Sequence, residues 1–191
     1  MDKKTGLFDR KDALLLKGVT VWFTGLPSSG KSSIARILER QFRKWNIKTE
    51  LLDGDIIRTN LSKGLGFSKE DRETNIKRLG FVCHLLTKNG ICAIASAISP
   101  YREGRDYNRK MIGNFFEVYV KTSLEECEKR DVKGLYQKAR AGGIKNFTGV
   151  NDPYEEPLHP DMVCETERET AEESAAKVIQ GLERLGYLKI K

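Results

Sequence analysis

Five short apolar runs are spaced along this chain, and between them apolar residues recur at helical intervals. "VTVWFT" (19–24) is unbroken by charge and rich in β-branched and aromatic residues, as in a strand buried on both faces. "KTELLD" (48–53), "ICAIASAI" (91–98), "FFEVYV" (115–120) and "MVCET" (162–166) supply four more strands. Between the first two, Ile34, Ile37, Leu38 and Phe42 mark one face of a helix over 31–45. Ile76, Leu79, Val82, Cys83 and Leu86 mark a second over 69–89, ended by "NG" at 89–90. A helix over 102–112 follows the third strand. "SLEECEKRD" opens another, with Ser123 placed to cap it and Glu126 three residues on. The last helix spans 171–185, from "ETAEE" to Gly186. Residues 1–17 form a charged lead-in. Residues 131–160 are rich in Gly, Lys, Arg and Pro, and their periodicity is weak.

Strands alternating with helices predict an α/β fold, a parallel sheet with helices on both faces, within a single domain over 1–191. Such sheets bind ligands beyond the carboxyl ends of their strands. Chemistry is therefore expected just after each apolar run.

After the first strand stands "GLPSSGKSS" (25–33), which fits G-x-x-x-x-G-K-[ST] through Gly25, Gly30, Lys31 and Ser32. Glycines let backbone N–H groups turn inward onto phosphate oxygens, and the helix N-terminus adds its positive end. Lys31 reaches the outer phosphates of a nucleoside triphosphate, and the Ser32 hydroxyl suits a magnesium ion. A Gly/Ser turn before an amphipathic helix would not need strand, glycines, Lys and Ser together. No N-K-x-D tetrapeptide marks a guanine switch, and "IASAIS" ends in serine where motors carry an acid. Those two features favour a small kinase over a switch or an ATPase machine.

After the second strand, "DGDIIR" brings Asp53, Asp55 and Arg58. Phe67 follows, then Arg72 and Asn75, which share a helix face at i,i+3, with Arg78 near the same side and Lys77 turned away. The third strand ends in "ISPYR", presenting Ile98 and Ser99. Arginines with an asparagine suit an acceptor that carries both anionic and nucleobase or sugar parts.

The net charge of +7 is dispersed, with no block of basic residues and no interleaved aromatics, which argues against nucleic acid and favours small polyanions. No apolar stretch is long enough to cross a membrane and the start lacks a signal-peptide core, so the chain reads as cytoplasmic with no membrane partner. The four cysteines are not spaced as a zinc site and read as buried thiols.

"GLPSSGKS", "DGDIIR", "GFSKEDRETNIKR", "ISPYR" and "RDVKGLYQKARAGGIKNFTGVNDPYEEP" together resemble the adenylylsulfate kinase (APS kinase) family over about residues 17–188. The last block is the most specific; the glycine loop alone is shared by many families. The resemblance implies transfer of a phosphoryl group from ATP, with Mg2+, to the ribose 3′-hydroxyl of adenylylsulfate (APS), giving 3′-phosphoadenylylsulfate (PAPS). It implies that Gly25, Leu26, Pro27, Ser28, Ser29, Gly30, Lys31, Ser32 and Ser33 bind ATP, together with Arg140. Asp55, Arg58, Phe67, Arg72 and Asn75 would hold APS, with Ile98 and Ser99 completing the pocket. Asn146 and Phe147 would close it, Phe147 stacking on the other face of adenine. Lys31, Asp55 and Lys133 would be catalytic: Asp55 orients the 3′-hydroxyl or takes its proton, and Lys133, with Lys138 and Arg140, belongs to a mobile lid over about 131–160. Ser32 and Asp53 would face the magnesium, Asp53 through water. Ser99 is a phosphoserine site in some bacterial relatives; with no histidine near it in sequence it reads here as a substrate ligand. A homodimer, and non-covalent association with ATP sulfurylase, are further implications. Ile56, Lys77 and Pro27-Ser28-Ser29 differ from common family residues. The other reading of the residues is a different P-loop small-molecule or nucleotide kinase.

Overall fold

The computed structural model describes residues 12–191. Five parallel strands form the central sheet: β2 (Val19–Thr24), β3 (Thr49–Asp53), β4 (Cys92–Ser96), β5 (Phe115–Lys121) and β6 (Met162–Glu165), in the spatial order β3-β4-β2-β5-β6. The expected strands are all present. β2 is central, with Val19 in register with Cys92 on one side and Thr20 with Phe115 on the other. Its alternation serves both faces. Val19, Val21 and Phe23 join Ile34, Leu38 and Phe42 of α1 (Lys31–Lys44) and Val178, Ile179 and Leu182 of α7 (Ala171–Arg184) in one core. Trp22 enters the second core, with Leu79 and Cys83 of α3 (Lys69–Lys88) and Ile112 of α4 (Arg102–Ile112). α3 and α4 touch closely enough that a Cβ on Gly80 would collide with the Asn108 amide.

Some details differ from the sequence-based expectation. The third strand stops at Ser96 because the chain then turns, with Ser99 at φ 41°. Ser123 does cap α5 (Leu124–Arg130), accepting from the Glu126 amide at 3.3 Å. The reciprocal half of the box is replaced: Glu167 takes the Ser123 N–H at 2.5 Å, while the Glu126 carboxylate faces Arg130. A full capping box forms instead on α7, between Thr170 and Glu173. Ala13–Leu15 (β1) and Leu188–Ile190 (β7) pair antiparallel in a separate two-stranded sheet, so the end of the charged lead-in is a strand. The rest of that lead-in, residues 1–11, lies outside the described residues. All four cysteines are buried free thiols, and burial pushes Cys83 and Cys164 up to about 12.

Residues 131–160 carry more order than their weak periodicity suggested. α6 (Leu135–Arg140) lies within them, and Tyr136 and Phe147 meet edge to face at 5.0 Å in a third small core with Cys127 and Ala139. The Tyr136 hydroxyl donates to Pro27 O at 3.0 Å, so this segment rests on the glycine loop. Two short helices thus join the expected set: α6 and α2 (Gly54–Asn60).

Candidate active site

The loop after β2 needs glycine at its first position. Gly25 has φ 152°, and a Cβ there would lie 2.6 Å from Val120 O on the adjoining strand. Gly30 caps α1 in the left-handed region, which aims the first amides of that helix into the loop. Lys31 opens the helix and folds back, its Nζ donating to Gly25 O at 3.0 Å and Leu26 O at 2.6 Å. Burial lowers its pKa to about 8, against the pull of Cys127, Asp53 and Asp55. A phosphate anion bound in the loop would supply the counter-charge that this buried ammonium lacks in full.

Ser32 Oγ donates to Asp53 Oδ2 at 3.0 Å and lies 3.2 Å from Ser96 Oγ. Three strand ends therefore converge on one small set of hard oxygen donors, β2 through its loop, β3 at Asp53 and β4 at Ser96. That chemistry fits Mg2+, which takes few protein ligands and fills its shell with water and phosphate oxygens. Asp53 also caps α2, accepting the Asp55 amide at 3.1 Å.

Across the cleft, the Asp55 carboxylate pairs with Lys133 from the 131–160 segment. Arg58 donates to Gly66 O at 2.8 Å and its guanidinium sits 4.3 Å above the Phe67 ring. Arg72 is 7% exposed. It donates to Phe67 O and Thr148 Oγ1, each at 3.0 Å, and to Asn146 O. One side chain of α3 thus ties together the half-exposed Phe67 and the Asn146–Thr148 stretch, which line the same cleft, whose volume is about 720 Å3. Lys31, Ser32 and Ser33 line one part of it, and Asn75, Ile98 and Phe147 another. Ser99 lines its floor, but the hydroxyl turns inward, accepting from Trp22 Nε1 at 3.1 Å and donating to Ala97 O at 3.4 Å.

Several expected residues are not brought to the cleft. Arg140 is half exposed and pairs with Glu128 at 2.5 Å, and neither it nor Lys138 lines the cleft. Ser29 is buried beneath the loop, its carbonyl accepting from Thr122 and Thr166. Leu26 packs toward Gly149 and a second, shallow depression. Arg78 donates to Leu61 O on the outer surface, Lys77 covers the Tyr107 ring, and Ile56 points to solvent. Conversely, Arg130 and Thr166 line the donor part and were missed. Arg130 grips Thr166 through O at 2.7 Å and Oγ1 at 2.9 Å. Thr166 ends the fifth apolar run, so the strand-end rule applied to the earlier runs would have found it.

A phosphate-cradling loop that opens onto an arginine- and aromatic-lined half-cleft is the arrangement by which a P-loop kinase sets a donor nucleotide against a small acceptor. The family model described as adenylylsulphate kinase matches residues 17–165, and the chain belongs to that family. It is 60% identical over 172 residues to the adenylyl-sulfate kinase of Rippkaea orientalis, covering 90% of this chain and 95% of that one. It is 56% identical over 174 residues to the adenylyl-sulfate kinase of Halothermothrix orenii, covering 91% and 94%. Among solved structures, the APS kinase of Mycobacterium tuberculosis in complex with AMPPNP and APS superposes with a TM-score of 0.85 at 46% identity, over 87% of this chain and 98% of that one.

Proposed function

We propose that this chain transfers the γ-phosphoryl group of ATP to the 3′-hydroxyl of adenylylsulfate, releasing ADP and 3′-phosphoadenylylsulfate. The observation that carries this reading is that one cleft is lined both by Lys31 and Ser32 of the glycine loop and by Arg58, Phe67, Arg72 and Phe147, with the paired Lys133 and Asp55 also lining it. Phosphoryl transfer asks little covalent chemistry of a protein and much positioning. The bond from the γ-phosphorus to the β,γ-bridging oxygen breaks, a bond from phosphorus to the 3′-oxygen forms, and the hydroxyl proton passes to the Asp55 carboxylate. Lys31, swung from the loop carbonyls onto the outer phosphates, and Lys133 balance the charge that moves. Ser32, and Asp53 through water, would hold Mg2+, which when bound neutralises charge on the β- and γ-phosphates. Phe67 and Phe147 give adenine apolar faces, and Arg58 and Arg72 meet the phosphosulfate. Closure of the 131–160 segment over both nucleotides excludes the water that would compete with the hydroxyl. We place the enzyme in the cytoplasm as a homodimer, able to associate non-covalently with ATP sulfurylase; among the described residues no helix is long and apolar enough to cross a membrane. Label from γ-32P-ATP should appear on APS at the 3′-position and be released by a 3′-nucleotidase; label elsewhere on the acceptor contradicts the reaction.

Arg58→Ala and Arg72→Ala should each raise KM for APS and leave KM for ATP nearly unchanged. Each loses a charge-assisted contact worth about 1.5–3 kcal/mol. Arg72→Ala should be the larger, because it also frees Phe67 and the Asn146–Thr148 stretch. A rise in KM for ATP alone would show the acceptor pocket to be misplaced.

Ser99 acts as a seat for the substrate, with no covalent step. Its proton points to a carbonyl and its oxygen accepts from an indole, so no base activates it. Ser99→Ala should keep measurable turnover with a raised KM for APS. Loss of all activity in folded Ser99→Ala protein, with 32P trapped on the wild-type serine at a rate matching kcat, would establish a phosphoenzyme.

A further inference from the structure

We propose that Arg105 is a positioning residue for the acceptor, joining the floor of the APS pocket to the foot of the 131–160 segment through one buried guanidinium. Arg105 lies in the first turns of α4 and is 2% exposed. Its three nitrogens serve three separate segments. Nη1 donates to Ser99 O at 2.5 Å, Nη2 to Glu155 O at 2.6 Å, and Nε faces Glu117 Oε1 of β5 at 3.0 Å.

Ser99 is a non-glycine residue at φ 41°, a conformation that persists only where surroundings enforce it. Trp22 holds its hydroxyl and Arg105 its carbonyl, so the backbone under the acceptor is fixed from two sides. Glu155 is tied to the same turn twice more: its N–H donates to Pro100 O and its carboxylate accepts the Arg102 N–H, each at 2.8 Å. The Tyr101 hydroxyl donates to Asp152 at 3.0 Å. Floor and foot therefore move as one body, with Arg105 buried at their joint.

An ion pair needed only for the fold would not require this fork. Burying a guanidinium is costly unless every nitrogen finds a partner, and two of these partners are carbonyls on segments flanking the cleft. Lysine in its place can answer the Glu117 charge but cannot bridge both carbonyls. Arg109 is the internal control, since it shares Glu117 at 3.2 Å and binds Asp161 at 2.8 Å yet touches neither Ser99 nor Glu155.

This inference rests on APS as the acceptor, so the experiment has two independent readouts: steady-state kinetics, and hydrogen exchange of the backbone amides without substrate. Arg105→Lys should raise KM for APS about tenfold or more and move KM for ATP less than about twofold. Its amides at 101–105 and 152–156 should exchange faster together while those of β2 and β4 stay protected. Arg109→Lys should leave both KM values and this exchange pattern near wild type. If Arg105→Lys does not fold, Glu117→Gln, which weakens the hold on Nε and also the contact with Arg109, should show the same pattern at smaller amplitude, with Arg109→Lys reporting the second effect alone. Unchanged exchange in both segments with KM for APS within about twofold of wild type overturns the inference, as does an equal effect of Arg109→Lys. Faster joint exchange in a protein whose wild type does not turn over APS upholds the joint and overturns the acceptor assignment instead.

Discussion

Lys31→Ala should lower kcat by about a thousandfold or more while the protein stays folded, because it removes the cation facing the transferring phosphoryl group. Lys31 is 8% exposed and its ammonium is bonded to loop carbonyls, so its removal also has a pH signature. In the folded state the pKa is about 8, below the ordinary 10.5 of the unfolded chain. Between those values the unfolded state binds more protons, so the contribution of this group to stability rises with pH across that window. Below pH 8 the folded protein carries the buried charge at a cost on the order of 3 kcal/mol. Relative to wild type, Lys31→Ala should therefore be more stable at pH 7 than at pH 10, as melting temperatures at the two values will show. Near-normal kcat in the folded variant would remove Lys31 from the donor site.

Asp55→Asn should reduce kcat by about 10^2- to 10^4-fold, the usual worth of a positioned proton acceptor, with KM for ATP little changed. The substitution keeps shape and loses charge, so the pair with Lys133 goes as well. Asp55 and Lys133 are both largely exposed, and such a pair adds little to stability, so the melting temperature should hardly move. The discriminating measurement is kcat at saturating substrates beside KM for each. A variant with wild-type kcat, or one altered only in KM for ATP, would take the proton transfer away from Asp55.

These expectations draw on features that differ in how far the sequence discloses them. β2 and β4 are legible because strands buried on both faces carry no charge, β5 because its apolar run is broken only by the buried Glu117 before Lys121, and α1 and α3 because one-sided burial imposes a helical period. The glycine loop is legible because its backbone geometry admits few residues. The 131–160 segment is not, because its order comes from partners far along the chain: Arg72 to Thr148, Tyr136 to Pro27 and Lys133 to Asp55. β1 and β7 are three residues each and pair across the whole length of the chain, so no local pattern announces them. Arg140 shows the opposite case. A basic residue in the right block draws the eye to ATP, whereas a local carboxylate, Glu128, holds it in the structure. Arg105 is invisible to patterning for a related reason, since a charged residue in "REGRD" reads as surface until its three partners are seen.

The central claim is that one cleft joins ATP to adenylylsulfate. It is tested most directly by following ADP release from the purified protein with Mg2+ and ATP, in parallel reactions containing APS, AMP, gluconate or no acceptor. The account predicts rapid ADP release with APS, matched mole for mole by 3′-phosphoadenylylsulfate, and rates near the acceptor-free background with the others. Equal ADP release with and without APS, or faster turnover with AMP or gluconate, would contradict it.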